Sequence, residues 1–130
     1  LSEFGLGKKK KDLKADVQKR MKSAFKFIEL GDWRKYGVEM TNVVYSVLGE
    51  VSGQGGAALE ADKLIELCSP SVRREVGDLL KKKIEIFQVL SFAPESVIGA
   101  YKEKSEMQKH AEETKLALLK ALELADSGKS

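Results

Sequence analysis

Apolar residues recur along this chain at steps of three and four, the spacing that lines one face of an α-helix. From Asp12 to Leu30 the stripe runs Leu13, Val17, Met21, Ala24, Phe25 and Ile28. Gly31–Asp32 then stops one helix and starts the next. Glycine tolerates the left-handed turn that closes a helix, and an aspartate carboxylate caps the free N–H groups of the helix that follows. The second stripe, from Trp33 to about Gly49, carries Trp33, Tyr36, Met40, Val43, Val44, Val47 and Leu48. Val43–Val44–Tyr45 alone would suit a strand, but its flanks keep the helical step.

Val51–Ser52–Gly53–Gln54–Gly55–Gly56 reads as a flexible loop. A short third helix follows over about Ala57–Cys68, and Ser69–Pro70 turns the chain into a fourth that runs to about Leu90. Its inward positions are Val72, Val76, Leu79, Leu80, Ile84, Phe87 and Leu90. Phe92–Ala93–Pro94 breaks the pattern, a short helical segment spans Glu95–Tyr101, and a last helix covers Lys104–Asp126 with Met107, Ala111, Thr114, Leu118, Ala121 and Leu122 inward. The expected fold is all-α, an irregular bundle of about five helices. Residues 8–126 form one domain in this reading, residues 1–7 resemble a cloning-derived leader or linker, and residues 127–130 fray. Trp33, Tyr36, Phe87, Phe92 and Pro94 are the expected structural anchors.

Composition narrows the class. With 42% hydrophobic and 33% charged residues the chain has the balance of a globular protein with its own core. Cys68 has no second cysteine to pair with, which fits a reducing compartment and a small buried apolar residue. The net charge of +3 is unevenly placed. Lys8, Lys9, Lys10, Lys11, Lys14, Lys19, Arg20, Lys22 and Lys26 crowd the first quarter. Such a start suits a solvated helix, a nucleic-acid contact or the cytoplasmic flank of a membrane segment. No apolar run in the sequence is long enough to span a bilayer.

Motifs with catalytic associations weaken on inspection. Gly53–Gln54–Gly55–Gly56 lacks the strand before it and the Lys and Ser/Thr after it that a phosphate loop needs. Gly128–Lys129–Ser130 has no partner glycine and no helix behind it. His110, the single histidine, sits between Lys109 and Glu112 and reads as an exposed helical residue. A zinc site would have to combine it with Cys68 and two carboxylates, a weak donor set. Asp12, Asp16, Glu29, Glu39, Glu66, Glu75 and Glu85 include no pair spaced beside histidine as in di-iron bundles. No enzyme, cofactor, metal site or small-molecule substrate is expected. Lys81–Lys82–Lys83 and Lys8–Lys11 leave an alternative open, a soluble helical protein that binds nucleic acid through basic patches. The aromatics fall on the apolar stripes rather than among the lysines, so solvated helix faces explain the charge with fewer assumptions.

In order, these pieces resemble the C-terminal cytosolic domain of the BatD family, the Bacteroides aerotolerance (oxygen tolerance) proteins. The resemblance rests on basic Lys8–Lys11, a helix ending in Gly31–Asp32, and a second helix with Trp33 and Tyr36 near its start. It continues through Leu79–Leu80, Glu85 and Phe92–Ala93–Pro94 to a closing helix with Leu118–Leu119 and Leu122–Glu123. Glu85 and Phe92 stand further apart than in the family pattern, and the glycine-rich loop departs from it. The resemblance implies a non-enzymatic interaction module associated with oxygen or stress tolerance, on the cytoplasmic side of the bacterial inner membrane and part of a larger membrane protein. The implied partners are a MoxR-type AAA+ ATPase or a von Willebrand A-domain membrane protein. Lys8, Lys9, Lys10 and Lys11 would lie against anionic lipid, each contributing about 1 kcal/mol near the surface.

Overall fold

The structure, a computed structural model, describes residues 10–54, 59–98 and 103–127. These form α1 (Lys10–Leu30), α2 (Trp33–Val51), α3 (Ala61–Glu66), α4 (70–92), α5 (Glu95–Ile98) and α6 (Lys104–Ser127). The stretch named α4 is one continuous rod: an α-turn at Pro70–Val72, a π-helical segment at Arg73–Gly77, and regular α-helix over Asp78–Phe92. The all-α bundle expected from the stripes is the observed fold, with four long helices and two short ones.

Local chemistry sets the helix ends. At the close of α1, Gly31 takes a φ of 71°, the Gly31 N–H bonds Ile28 O (3.0 Å), and the Asp32 N–H bonds Phe27 O (2.9 Å). This pair of bonds satisfies the last carbonyls of the helix and needs a left-handed residue at Gly31. Asp32 then accepts from the Lys35 N–H (3.2 Å) and caps α2. The same closure recurs at Gly53 (φ 78°), with Gly53 N–H to Glu50 O and Gln54 N–H to Gly49 O. The first glycine of the loop is therefore a helix cap. Ser69 accepts from the Val72 N–H, and Pro70 occupies the first turn of α4.

Side-chain bridges establish the topology. Lys14 of α1 pairs with Glu123 of α6, and Lys104 donates to Glu29 O, so α1 and α6 run antiparallel. Arg34 donates to Ser91 O (2.7 Å) at one end of the α2–α4 contact, while Tyr45 lines a cleft with Ile84 and Lys81 further along, so these helices are antiparallel too. Glu75–Lys120 and Lys83–Glu113 give the same sense to α4 and α6. The long helices thus alternate up, down, up, down, with α1 and α4 on opposite corners. Along the α2–α4 seam the backbones touch: a Cβ built on Gly37 would stand 2.6 Å from Phe87 O and 2.9 Å from Ser91 N.

The core contains most of the expected stripe positions, among them Tyr36 and Phe87, both fully buried. Their rings meet edge to face at 5.7 Å, and Tyr36 Oη donates to Met107 O at 2.7 Å. Burial pushes the Tyr36 phenol well above its ordinary pKa, so it stays a neutral donor. Trp33 is half-buried and packs against Tyr36. Two expected anchors are not in the core. Phe92 is 80% exposed and Pro94 is exposed. Phe92 lies two positions beyond Leu90, about 200° around the helix from that inward residue. Pro94 sits in the turn before α5, outside the bundle. Leu79, expected inward, is also exposed, whereas Lys83 and Ser91 take inward positions. Of the expected third helix, Leu59, Glu60, Leu67 and Cys68 are not helical and residues 57–58 lie outside the described residues, as do residues 99–101 of the expected Glu95–Tyr101 segment.

Candidate interaction surfaces

Five helix ends gather at one pole of the bundle. There Leu30 ends α1, Trp33 begins α2, Phe92 ends α4, and α5 and the start of α6 lie beside them. Arg34 holds the pole together by donating to Ser91 O and to Ala93 O (3.1 Å), carbonyls left free where α4 stops. Lys104 does the same for α1 through Glu29 O (3.1 Å). A groove of about 460 Å³ opens here between Leu30, Trp33, Arg34, Lys35 and Ile98. Beside it Leu30 (71%), Phe92 and Val97 (44%) present apolar side chains to solvent. Apolar side chains gathered in this way mark a contact surface better than single scattered ones do.

Of the lysines expected at a membrane surface, Lys8 and Lys9 lie outside the described residues, while Lys10 and Lys11 begin α1. Further along the lysine-rich first quarter, the structure sorts the basic residues into paired and unpaired ones. Lys19, Lys22 and Lys26 project from the outer side of α1, away from α2 and α6. Their neighbours Lys14 and Arg20 are neutralised by Glu123 and Asp16, but these three make no ion pair among the described residues. Lys81, Lys82 and Lys83 do not form a basic patch. Lys82 is exposed, Lys81 lines a cleft with Tyr45, Glu60 and Glu85, and Lys83 is buried at 6% exposure. Three successive helix residues point about 100° apart, which is why one run serves three environments.

Lys83 reaches α6. Its ammonium donates to Glu113 and to His110 Nδ1 (2.9 Å), and His110 Nε2 stands 3.7 Å from Glu106 Oε1. With Nδ1 accepting, the neutral ring carries its proton on Nε2, facing the Glu106 carboxylate. His110, expected to be exposed, is thus a half-buried strut between α4 and α6. Burial and then the Lys83 charge push its pKa below the ordinary histidine value, against the opposite pull of Glu106 and Glu113. Glu113 is held below the usual carboxylate value, chiefly by its hydrogen bond from Lys83. Nothing in the sequence around Lys83 signals its partners, which come from another helix.

Cys68 is buried and donates to Leu64 O (3.3 Å). Burial pushes its thiol up to about 11, against the pull of Arg73, so it is protonated at neutral pH and poorly nucleophilic. The cleft of about 360 Å³ beside Tyr45 holds Glu60, Asp62 and Glu85, yet among the described residues no three histidine, cysteine or acidic side chains are placed to hold a metal ion. No described helix is long and apolar enough to cross a membrane. The surfaces that remain are suited to contact: an apolar pole and a basic helix face. Comparison with family models, curated proteins and solved structures gives no match to this chain.

Proposed function

We propose that this chain is a non-enzymatic interaction module, the cytosolic domain of a membrane protein resembling the BatD family, and that it docks a protein partner through its apolar pole. The observation that carries the reading is an exposed Leu30 on a groove braced by Arg34, with Phe92 and Val97 exposed on the helix ends that Arg34 and Ile98 tie to it. A bundle with a filled core gains nothing for its own fold by leaving these side chains in water. The resemblance supplies the partner class: a MoxR-type AAA+ ATPase or a von Willebrand A-domain membrane protein, in a system tied to oxygen or stress tolerance.

The test is direct binding of purified candidates of both classes, with a Phe92→Ser/Val97→Ser variant as control. Both substitutions fall on exposed positions, so circular dichroism should show an unchanged fold. Binding by the parent chain and its loss in the variant is the expected result. Absence of binding by both partner classes at high micromolar concentration would overturn the docking role. A second reading, nucleic-acid binding, would draw on the same exposed lysines, Lys19, Lys22 and Lys26; it requires retention on polyanions that falls steeply as salt rises.

A further inference from the structure

We infer that the outer face of α1 is a second contact surface, one that lays the bundle against an anionic lipid bilayer through Lys19, Lys22 and Lys26. The inference rests on the membrane-associated reading above but extends the contact from the basic leader into the folded domain. The three lysines stand at steps of three and four, a straight row about 10 Å long on a convex helix surface. None is neutralised by a carboxylate among the described residues, although Lys14 and Arg20 on the same helix are. Ala15, Gln18 and Ser23 beside them are small or uncharged, and the exposed acids of the row, Asp12 and Glu29, stand at its two ends. The middle of the face therefore carries a net positive charge from three lysines that form no ion pair among the described residues, the complement of an anionic surface.

The shape of the face favours lipid over nucleic acid. The aromatics beside the lysines, Phe25 and Phe27, pack against the core rather than standing clear for a base to stack on, and Arg20 is paired with Asp16 rather than free to grip a phosphate with two donors. Lysines are compact point charges on flexible stems, suited to a diffuse charged plane. With α1 against the bilayer, α4 on the opposite corner faces away from it, and the apolar pole opens sideways, parallel to the membrane plane. A partner anchored in the same membrane could then reach the groove.

The probe is vesicle co-sedimentation with the full chain, comparing pure phosphatidylcholine with phosphatidylcholine containing one-third phosphatidylserine. The comparison variant is Lys19→Gln/Lys22→Gln/Lys26→Gln, which breaks no ion pair among the described residues and should fold normally. At about five-fold per lysine, the three substitutions should weaken binding to anionic vesicles on the order of a hundred-fold. Equal binding by parent and variant, or equal binding to both vesicle types, would overturn the proposal. So would tighter binding to duplex DNA than to anionic vesicles at matched salt, which would assign the face to nucleic acid. Phe92→Ser/Val97→Ser should leave vesicle binding unchanged. Failure of the parent chain to capture either partner class, with its preference for anionic vesicles intact, would therefore count against the docking role alone, and partner capture without that preference against the lipid face alone.

Discussion

Gly37 is where the packing of this bundle is most exposed to test. A methyl group at this position would sit 2.6 Å from Phe87 O, 2.9 Å from Leu90 Cβ and 2.9 Å from Ser91 N. Ordinary carbon–oxygen contacts begin near 3.3 Å, so the overlap with the carbonyl is about 0.7 Å. Two of the three obstructing atoms are backbone and cannot turn aside. Relief requires α2 to move off α4, which loosens the contact between Tyr36 and Phe87. Overpacking costs about 1–3 kcal/mol, and a backbone obstruction belongs at the upper end of that range. Alanine is the better helix former by about 1 kcal/mol, so Gly37→Ala should be net destabilising by about 2 kcal/mol.

For a chain of this size the entropy of unfolding is roughly 0.27 kcal/mol per degree, which converts that loss to a fall in Tm of about 7 °C. Thermal melts followed by circular dichroism would measure it. Gly77→Ala is the matched control. There the nearest atom to a new methyl is Ile65 Cγ2 at 3.2 Å, the end of a side chain that can give way. Its Tm should hold or rise slightly. A Gly37→Ala protein melting at or above the parent temperature would refute the close approach of α2 and α4.

Phe87→Ala should cost about 3–5 kcal/mol in urea unfolding, while Phe92→Ala should stay within about 0.5 kcal/mol, because one ring is enclosed and the other is in solvent; equal losses would contradict the placement of Phe92. Thr41 Oγ1 is buried with no hydrogen-bond partner among the described residues, so Thr41→Val should stabilise the fold by about 1 kcal/mol, and a loss of that size would reveal a missed partner. His110 has a folded-state pKa below its unfolded value near 6.5, so its neutral form contributes stability that is complete above that pH and lost as pH falls through the folded pKa. His110→Asn keeps an acceptor for Lys83 without that titration and should flatten the stability profile just below pH 6.5; an unchanged acid limb would show that the ring does not report on the fold, since Glu113, also lowered, yields only at more acid pH.

The sequence pattern was most informative where a stripe repeats without competition. α1, α2 and α6 bury the residues their three-and-four spacing selects, from Leu13 to Ile28, Tyr36 to Leu48 and Met107 to Leu122, apart from Phe25, which like Trp33 is only half-buried. The turn chemistry of Gly31, Asp32, Ser69 and Pro70 placed two boundaries correctly. α4 was harder because its sequence offers more apolar residues than one face can hold. Leu79 and Leu80 compete for the same side, and a π-helical turn just before them resets the register, so only Leu80 is enclosed. Lys83 could have been found by stepping from Leu80 to Phe87 through the shared face, but charge argued against burial until Glu113 and His110 came into reach from α6. Gly37 sits among large apolar residues, a hint of close approach that periodicity alone cannot assign to a neighbour.

The candidate surfaces followed a different logic, since contact residues are recognisable only as departures from what the fold requires. A lysine-rich first helix is visible in the sequence, yet which lysines carry uncompensated charge depends on Glu123, more than a hundred positions away, reaching back to Lys14. Phe92 looked like core because phenylalanine is usually buried, and it is its register on α4 that turns it outward. Both features are bought without touching the core stripe: Lys19, Lys22 and Lys26 occupy the outer face of α1, and Phe92 and Val97 lie at the margin of the bundle. Stability and recognition therefore draw on separate side chains. A substitution at either surface can alter what the domain touches while leaving Tyr36, Phe87 and the helix seams as they are, and this separation is what allows the pole and the basic face to be tested one at a time.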